Sequence, residues 1–179
     1  TTPKLHEAFS RYLANDLGET RAISEIKSFG YEIAAIDINH SGLEWEYSEE
    51  LKAFVPPLTS LKGVGDKAVA EVFELRPYRN LDELFYDSTG SWKHSKLNKT
   101  AFASLAKMES FKSLEEFKSG ELDNHKQLHD MILENYNILK KGRWGITKTA
   151  HKRAVKKGEV VDPIINEMKA RYKVLSDWS

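Results

Sequence analysis

At Lys62-Gly63-Val64-Gly65 two glycines flank one apolar residue, and apolar residues at helical spacing run up to the pair and away from it. Leu58 and Leu61 stand before it; Ala68, Val72 and Phe73 follow. Glycine takes backbone angles closed to other residues and removes side chains from a turn. The segment is therefore constrained to a tight reversal between helices. Amides freed there, with the N-terminus of the following helix, can face a phosphate. A plain helix C-cap and turn would also place a glycine at this point.

The rest of the chain sets this turn in context. Leu5, Ala8, Phe9, Tyr12 and Leu13 predict an amphipathic helix, and Ile23 and Ile26 a second one, stopped at Gly30. Residues 31–36 are short, β-branched and apolar, and read as a strand. Residues 43–47 alternate with period two, and 51–55 nearly so, predicting a hairpin turning at Ser48-Glu49-Glu50. Pro56-Pro57 closes this strand region and opens the first helix of the reversal. Helical pattern then dominates: 66–75, a short helix over 80–85 capped by Asn80, and one over 97–108. A helix follows with a capping box at Ser113-Leu114-Glu115-Glu116, then a long helix over 121–140, a basic one over 147–157 and a last one from Asp162. Two helices around Gly-Val-Gly describe a helix-hairpin-helix motif. The expected fold is mainly α with a small β element. Three units are expected: an N-terminal α/β element over 1–56, the hairpin module over 57–119 and a helical basic segment over 120–179.

Twenty-seven Lys and Arg balance 27 Asp and Glu among 179 residues, so net charge argues against a protein that simply coats nucleic acid. The distribution is uneven. Acids outnumber bases before Pro57, whereas Lys140, Lys141, Arg143, Lys148, Lys152, Arg153, Lys156 and Lys157 fall in one stretch without an acid. Such asymmetry guides partners better than the total. No cysteine is present, which excludes a disulfide framework, a thiolate metal site and a cysteine nucleophile. No apolar run approaches bilayer length and no signal-peptide core opens the chain, so a cytoplasmic protein with no membrane contact is expected.

Taken in order, these segments resemble the C-family DNA polymerases, the replicative DNA polymerase III alpha subunits of bacteria and phages. The resemblance is carried by Lys27-Ser28-Phe29-Gly30-Tyr31-Glu32-Ile33 and Asp37-Ile38-Asn39-His40-Ser41. It continues through Leu58 to Ala68 around Lys62-Gly63-Val64-Gly65, then Arg76, Asn80 to Phe85 and Leu97-Asn98-Lys99. It spans roughly residues 5 to 111. It implies a tandem helix-hairpin-helix module, of the SAM-like five-helix type with extra C-terminal helices, gripping duplex DNA behind a polymerase active site. It also assigns Asp37-Ile38-Asn39 to a structural run before that module. The family keeps a glycine in its second hairpin; here Leu105-Ala106-Lys107-Met108-Glu109-Ser110-Phe111 has none, leaving Lys107 as the one basic candidate. The catalytic palm has no counterpart.

Sequence-independent binding of the duplex DNA backbone is thus expected. Gly63, Val64 and Gly65 would donate through backbone, and Lys62, Lys67, Arg76 and Lys107 would add charge. Lys148, Lys152 and Arg153 form a second candidate surface, interleaved with Trp144 and His151 for stacking; a solvated basic face balancing the acidic front half is the plainer reading. A structural or protein-interaction domain with a vestigial hairpin, docking to a polymerase core or clamp, is the alternative function. His125 and His129 are one turn apart, but a solvated helix face explains them better than a metal. Asp37 and Asn39 are expected to bond turn amides. The acids at 44–50 read as solubilising, and no nucleophile elbow, P-loop or dinucleotide fingerprint occurs. No catalytic residue, cofactor or small-molecule substrate is expected.

Overall fold

In the N-terminal part, α1 (Thr2–Asn15) and α2 (Glu19–Ser28) close over a small sheet. The computed structural model describes residues 2–15, 19–174 and 176–178. The helices contribute Leu13, Ala22 and Ile26 to an apolar cluster completed by Trp45 and Phe54. His6, Phe9, Tyr31 and Tyr47 all meet the Phe54 ring edge to face, at 5.1–6.1 Å between centroids, the geometry aromatic quadrupoles favour.

The sheet holds β1 (Glu32–Ile33), β2 (Glu46–Ser48) and β3 (Ala53–Val55) in the order β1-β3-β2. β3 is parallel to β1, with Phe54 opposite Ile33, and antiparallel to β2, with Phe54 opposite Tyr47. The strands are shorter than the alternation predicts, because residues 42–43 serve another purpose. The Gly42 carbonyl accepts the Leu58 N–H at 2.9 Å, and the Leu43 carbonyl accepts the Thr59 hydroxyl at 3.0 Å. That segment anchors the entry to the glycine turn instead of extending β2.

From Ile36 to Tyr172 one larger apolar core collects side chains from most remaining elements. They are α3 (Asp66–Leu75), α4 (Leu81–Phe85), α5 (Lys99–Lys107), α6 (Glu115–Lys118), α7 (His125–Glu134), α8 (Tyr136–Lys141) and α10 (Ile164–Tyr172), while α9 (Lys148–Lys156) lies outside this cluster. Phe85, Phe102, Phe111 and Leu105 lie at its centre, fully buried, and α5 runs along α7. The protein is mainly helical with a small three-stranded sheet, as the sequence predicts. Asn80 and Asn98 cap α4 and α5 by accepting the N–H of Glu83 and Ala101, each at 2.9 Å.

Three local expectations are corrected. The helix predicted over 121–140 is two. A capping box between Asn124 and Gln127 starts α7 at His125, and Asn135 ends it by donating its side-chain N–H to the Met131 carbonyl and to the Tyr172 hydroxyl. The capping box at Ser113 does not form. Ser113 donates instead to Asp37 Oδ1 at 2.9 Å, and Glu116 is buried, accepting the Leu81 N–H at 3.0 Å. The first helix of the reversal is a single 3₁₀ turn, Leu58–Ser60, because Leu61 is already extended at φ −89°, ψ 129°.

Asp37 accepts the Asn39 N–H at 2.8 Å, as expected of a turn residue. Asn39 reaches further: it accepts the Tyr78 N–H at 2.7 Å and donates to the Tyr78 carbonyl and the Ser113 hydroxyl, each at 2.8 Å. Asp37-Ile38-Asn39 thus ties the chain before the glycine turn to segments more than thirty residues later.

At the end of α5, Glu109 sits in the left-handed region at φ 55°. Its N–H goes to the Ala106 carbonyl and that of Ser110 to the Leu105 carbonyl, both at 3.0 Å, a Schellman pattern that normally carries glycine. Residues 105–111 hold no glycine, so a glutamate takes this backbone position. Glu109→Gly should relieve the strain and raise stability by about 1 kcal/mol. Calorimetry should then show the melting temperature rise by about 2–4 °C; no rise would mean that the glutamate side chain compensates.

Candidate nucleic-acid interface

The glycine turn is pressed onto the α5 surface. Gly63 has φ +87°, and a Cβ there would stand 3.0 Å from Ser104 Oγ and 3.1 Å from Thr100 Cγ2. The Ser104 hydroxyl donates to the Lys62 carbonyl at 2.5 Å. Val64 is buried between Leu61 and Ala68 as the turn's apolar plug. Gly65, at φ −81° and ψ 172°, is the N-cap of α3, and no side chain caps that helix. A Cβ at Gly65 would meet nothing within 4 Å.

This geometry sorts the backbone donors. The Val64 N–H is directed at the Leu61 carbonyl, 3.4 Å away, so Val64 supplies packing rather than a free donor, which corrects the expectation for it. Among the described residues the N–H groups of Gly63, Gly65 and Asp66 have no acceptor. The first turn of any helix leaves such amides over, and the helix dipole adds positive potential there. Lys62 and Lys67 are exposed beside them and make no ion pair among the described residues. The Asp66 carboxylate shares the same turn.

Of the other cations, Arg76 is committed inside the fold. Its guanidinium donates to the Ser41 carbonyl at 2.6 Å and the Ile38 carbonyl at 3.4 Å, and covers the Phe73 ring at 4.3 Å. It fastens the Asp37-Asn39 turn and is not free for a phosphate. Arg79 is paired with Glu83 at 2.8 Å. Lys107 is exposed at the end of α5 and faces the same groove as Lys62.

Lys148, Lys152 and Arg153 are exposed on α9, and no hydrogen bond or ion pair joins that helix to residues 62–67 among the described residues. Arg143 leaves the basic stretch by gripping Asp82 through two bonds of 2.7 and 2.8 Å. The Trp144 indole is stacked on His151 at 3.5 Å and lies against Gly90, so the expected stacking surface is already occupied from within.

Sequence reasoning missed the group that sets α3 against α5. Glu71, on α3, is 9% exposed and accepts the N–H groups of Ser95 and Leu97, each at 2.7 Å, and of Lys96 at 3.0 Å, together with the Ser95 hydroxyl. A glutamate in the second turn of an amphipathic helix carries no sequence signal for this. Burial pushes its carboxyl up, but these donors prevail and hold it at about 2. His125 belongs to the core and not to a solvated face. Its Nε2 accepts the Phe111 N–H at 3.0 Å, its ring stacks on Phe117 at 4.1 Å, and burial pushes its pKa down to about 4. His129 pairs with Asp130 at 2.8 Å. No cluster of three or more metal-ligating side chains occurs among the described residues, and no helix among them is long and apolar enough to cross a membrane.

The family model for the helix-hairpin-helix motif matches residues 30–120, just over half of the chain, taking in the sheet, the glycine turn and α3 to α6. No curated protein matches the chain.

Two measurements follow from the turn and its supports. Gly63→Ala meets both a left-handed backbone and a tight Ser104 contact, and should lower stability by about 1–2 kcal/mol in urea unfolding. Glu71 and His125 both bind protons more weakly in the folded chain, so each stabilises it at neutral pH and loses its contribution on acidification. His125 acts as the pH falls from 6.5 towards 4, and Glu71 from 4.5 towards 2. Glu71→Gln should flatten the lower limb, worth about 2–3 kcal/mol, and leave the upper one.

Proposed function

The chain belongs to the helix-hairpin-helix motif family, and from that premise we propose that it is a non-catalytic module that grips the phosphate backbone of duplex DNA without reading sequence. One observation carries this: the amides of Gly63, Gly65 and Asp66, without an acceptor among the described residues, fall along the chain between Lys62 and Lys67, both exposed. A phosphate diester needs that set of donors, and base edges would need side-chain forks that the turn lacks. The exposed cations of α9 supply a second backbone contact through Lys148, Lys152 and Arg153. The order of segments from Asp37-Ile38-Asn39 to Asn98-Lys99 supports a setting beside a replicative polymerase of the DNA polymerase III alpha type, with the polymerase core or clamp as its protein partner.

Fluorescence anisotropy with blunt duplexes of unrelated sequence tests the proposal. Affinities should agree across sequences and fall with salt, with a logarithmic slope on the order of −4. Lys62→Ala should flatten that slope by about one, and alanine at Lys148, Lys152 and Arg153 together by about two to three. Gly65→Ser is the sharper variant. Serine is a good N-cap and meets open space, so the fold should hold while the side chain intrudes on the phosphate and binding drops about tenfold. Wild-type affinity in Gly65→Ser would refute the cradle.

A further inference from the structure

Between the sheet and the end of α5 runs an open groove of about 580 Å³. Its lining is largely aliphatic, with Ile23, Ile33, Leu61 and Met108 in the walls and the buried Ile36 and Trp45 beneath them. Met108 is 50% exposed, an unusual position for a large apolar side chain at a helix end. Lys62 and Lys107 stand on the rim, and neither is ion-paired among the described residues. Among the described residues no carboxylate lines the groove.

The lining distinguishes between occupants. Trp45 is only 7% exposed, so little aromatic face is offered to a nucleobase. The two hydroxyls present already donate their protons: Ser60 to the Pro57 carbonyl at 2.8 Å, and Ser104 to the Lys62 carbonyl. Neither hydroxyl proton is left to read a base edge, whereas the aliphatic lining accommodates aliphatic side chains. Two unpaired ammonium groups beside an apolar trough complement a helix with an apolar stripe flanked by acids. We propose that this groove is a docking site for an acidic amphipathic segment of a partner protein, its apolar side chains on the Ile33 and Met108 walls and its carboxylates on Lys62 and Lys107. Because Lys62 also borders the glycine turn, the segment and a DNA backbone would draw on one shared cation.

A fluorescein-labelled peptide of two Leu-Glu-Glu-Leu-Leu-Glu-Gln repeats tests this on the full chain, against counterparts with Lys for Glu and with Ser for Leu. The acidic peptide should bind at least about tenfold tighter than either. Ala35→Trp, which fills the groove from an exposed position, and Met108→Glu, which charges its wall, should each weaken it about tenfold. Both should leave the melting temperature and blunt-duplex affinity within about twofold or a few degrees of wild type. Lys62→Glu with Lys107→Glu should reverse the preference towards the lysine peptide. Equal binding of the three peptides, or indifference to Ala35→Trp and Met108→Glu, would overturn the proposal. So would a duplex with a single-stranded extension binding tighter than a blunt one in a manner abolished by Ala35→Trp, which would give the groove to a nucleotide strand. Blunt-duplex binding is read separately, so loss of the DNA reading leaves this outcome independent.

Discussion

The absence of space at Gly63 is the constraint on which the site depends. With Ser104 and Thr100 barely 3 Å from where a Cβ would sit, the turn has to be bare backbone, and bare backbone is what exposes its amides. α5 is therefore both the floor of the turn and the reason for its composition. Glu71 fixes how α3 leaves that floor, by holding the residues that lead into α5 through four hydrogen bonds. The donors that would meet a phosphate are thus set by contacts on the opposite side of the turn, in the core.

Legibility in the sequence followed the range of the interactions involved. A helix whose start depends on a neighbour three residues away, as at Asn80, was readable because both partners lie in one short window. The glycine turn was readable for the same reason. Ser113 and Asn135 were not, since their hydroxyl and amide choose partners at Asp37 and Tyr172, far along the chain. A capping signature or a helical period cannot reveal such competition. Arg76 failed in the same way. An arginine just past a helix looks like a phosphate ligand until the Ser41 carbonyl is brought beneath it. Val64 is the converse case, assigned to the ligand by position and claimed by the core through its apolar side chain.

Cations therefore divide by use rather than by sequence cluster. Arg76 and Arg143 are structural fasteners to a carbonyl pair and to Asp82. Lys62 and Lys67 flank the free amides, Lys148, Lys152 and Arg153 stand on α9, and Lys107 shares the apolar groove with Lys62. A chain with no net charge can still carry a local excess of cations this way, because Glu71 and Glu116 are spent on internal donors and no acid falls between Lys140 and Lys157. Glu109, strained where a glycine would be relaxed, leaves the end of α5 without the free turn backbone seen at Gly63.

Amide chemical shifts of the ¹⁵N-labelled protein, followed as a blunt DNA duplex is added, test the phosphate cradle most directly. The amides of Gly63, Gly65 and Asp66 should move downfield and saturate together, the response of N–H groups that acquire a charged acceptor, while that of Val64, already directed at Leu61, should move least. Shifts confined to α9, with the three turn amides unmoved at saturation, would contradict the cradle and leave the basic helix as the contact.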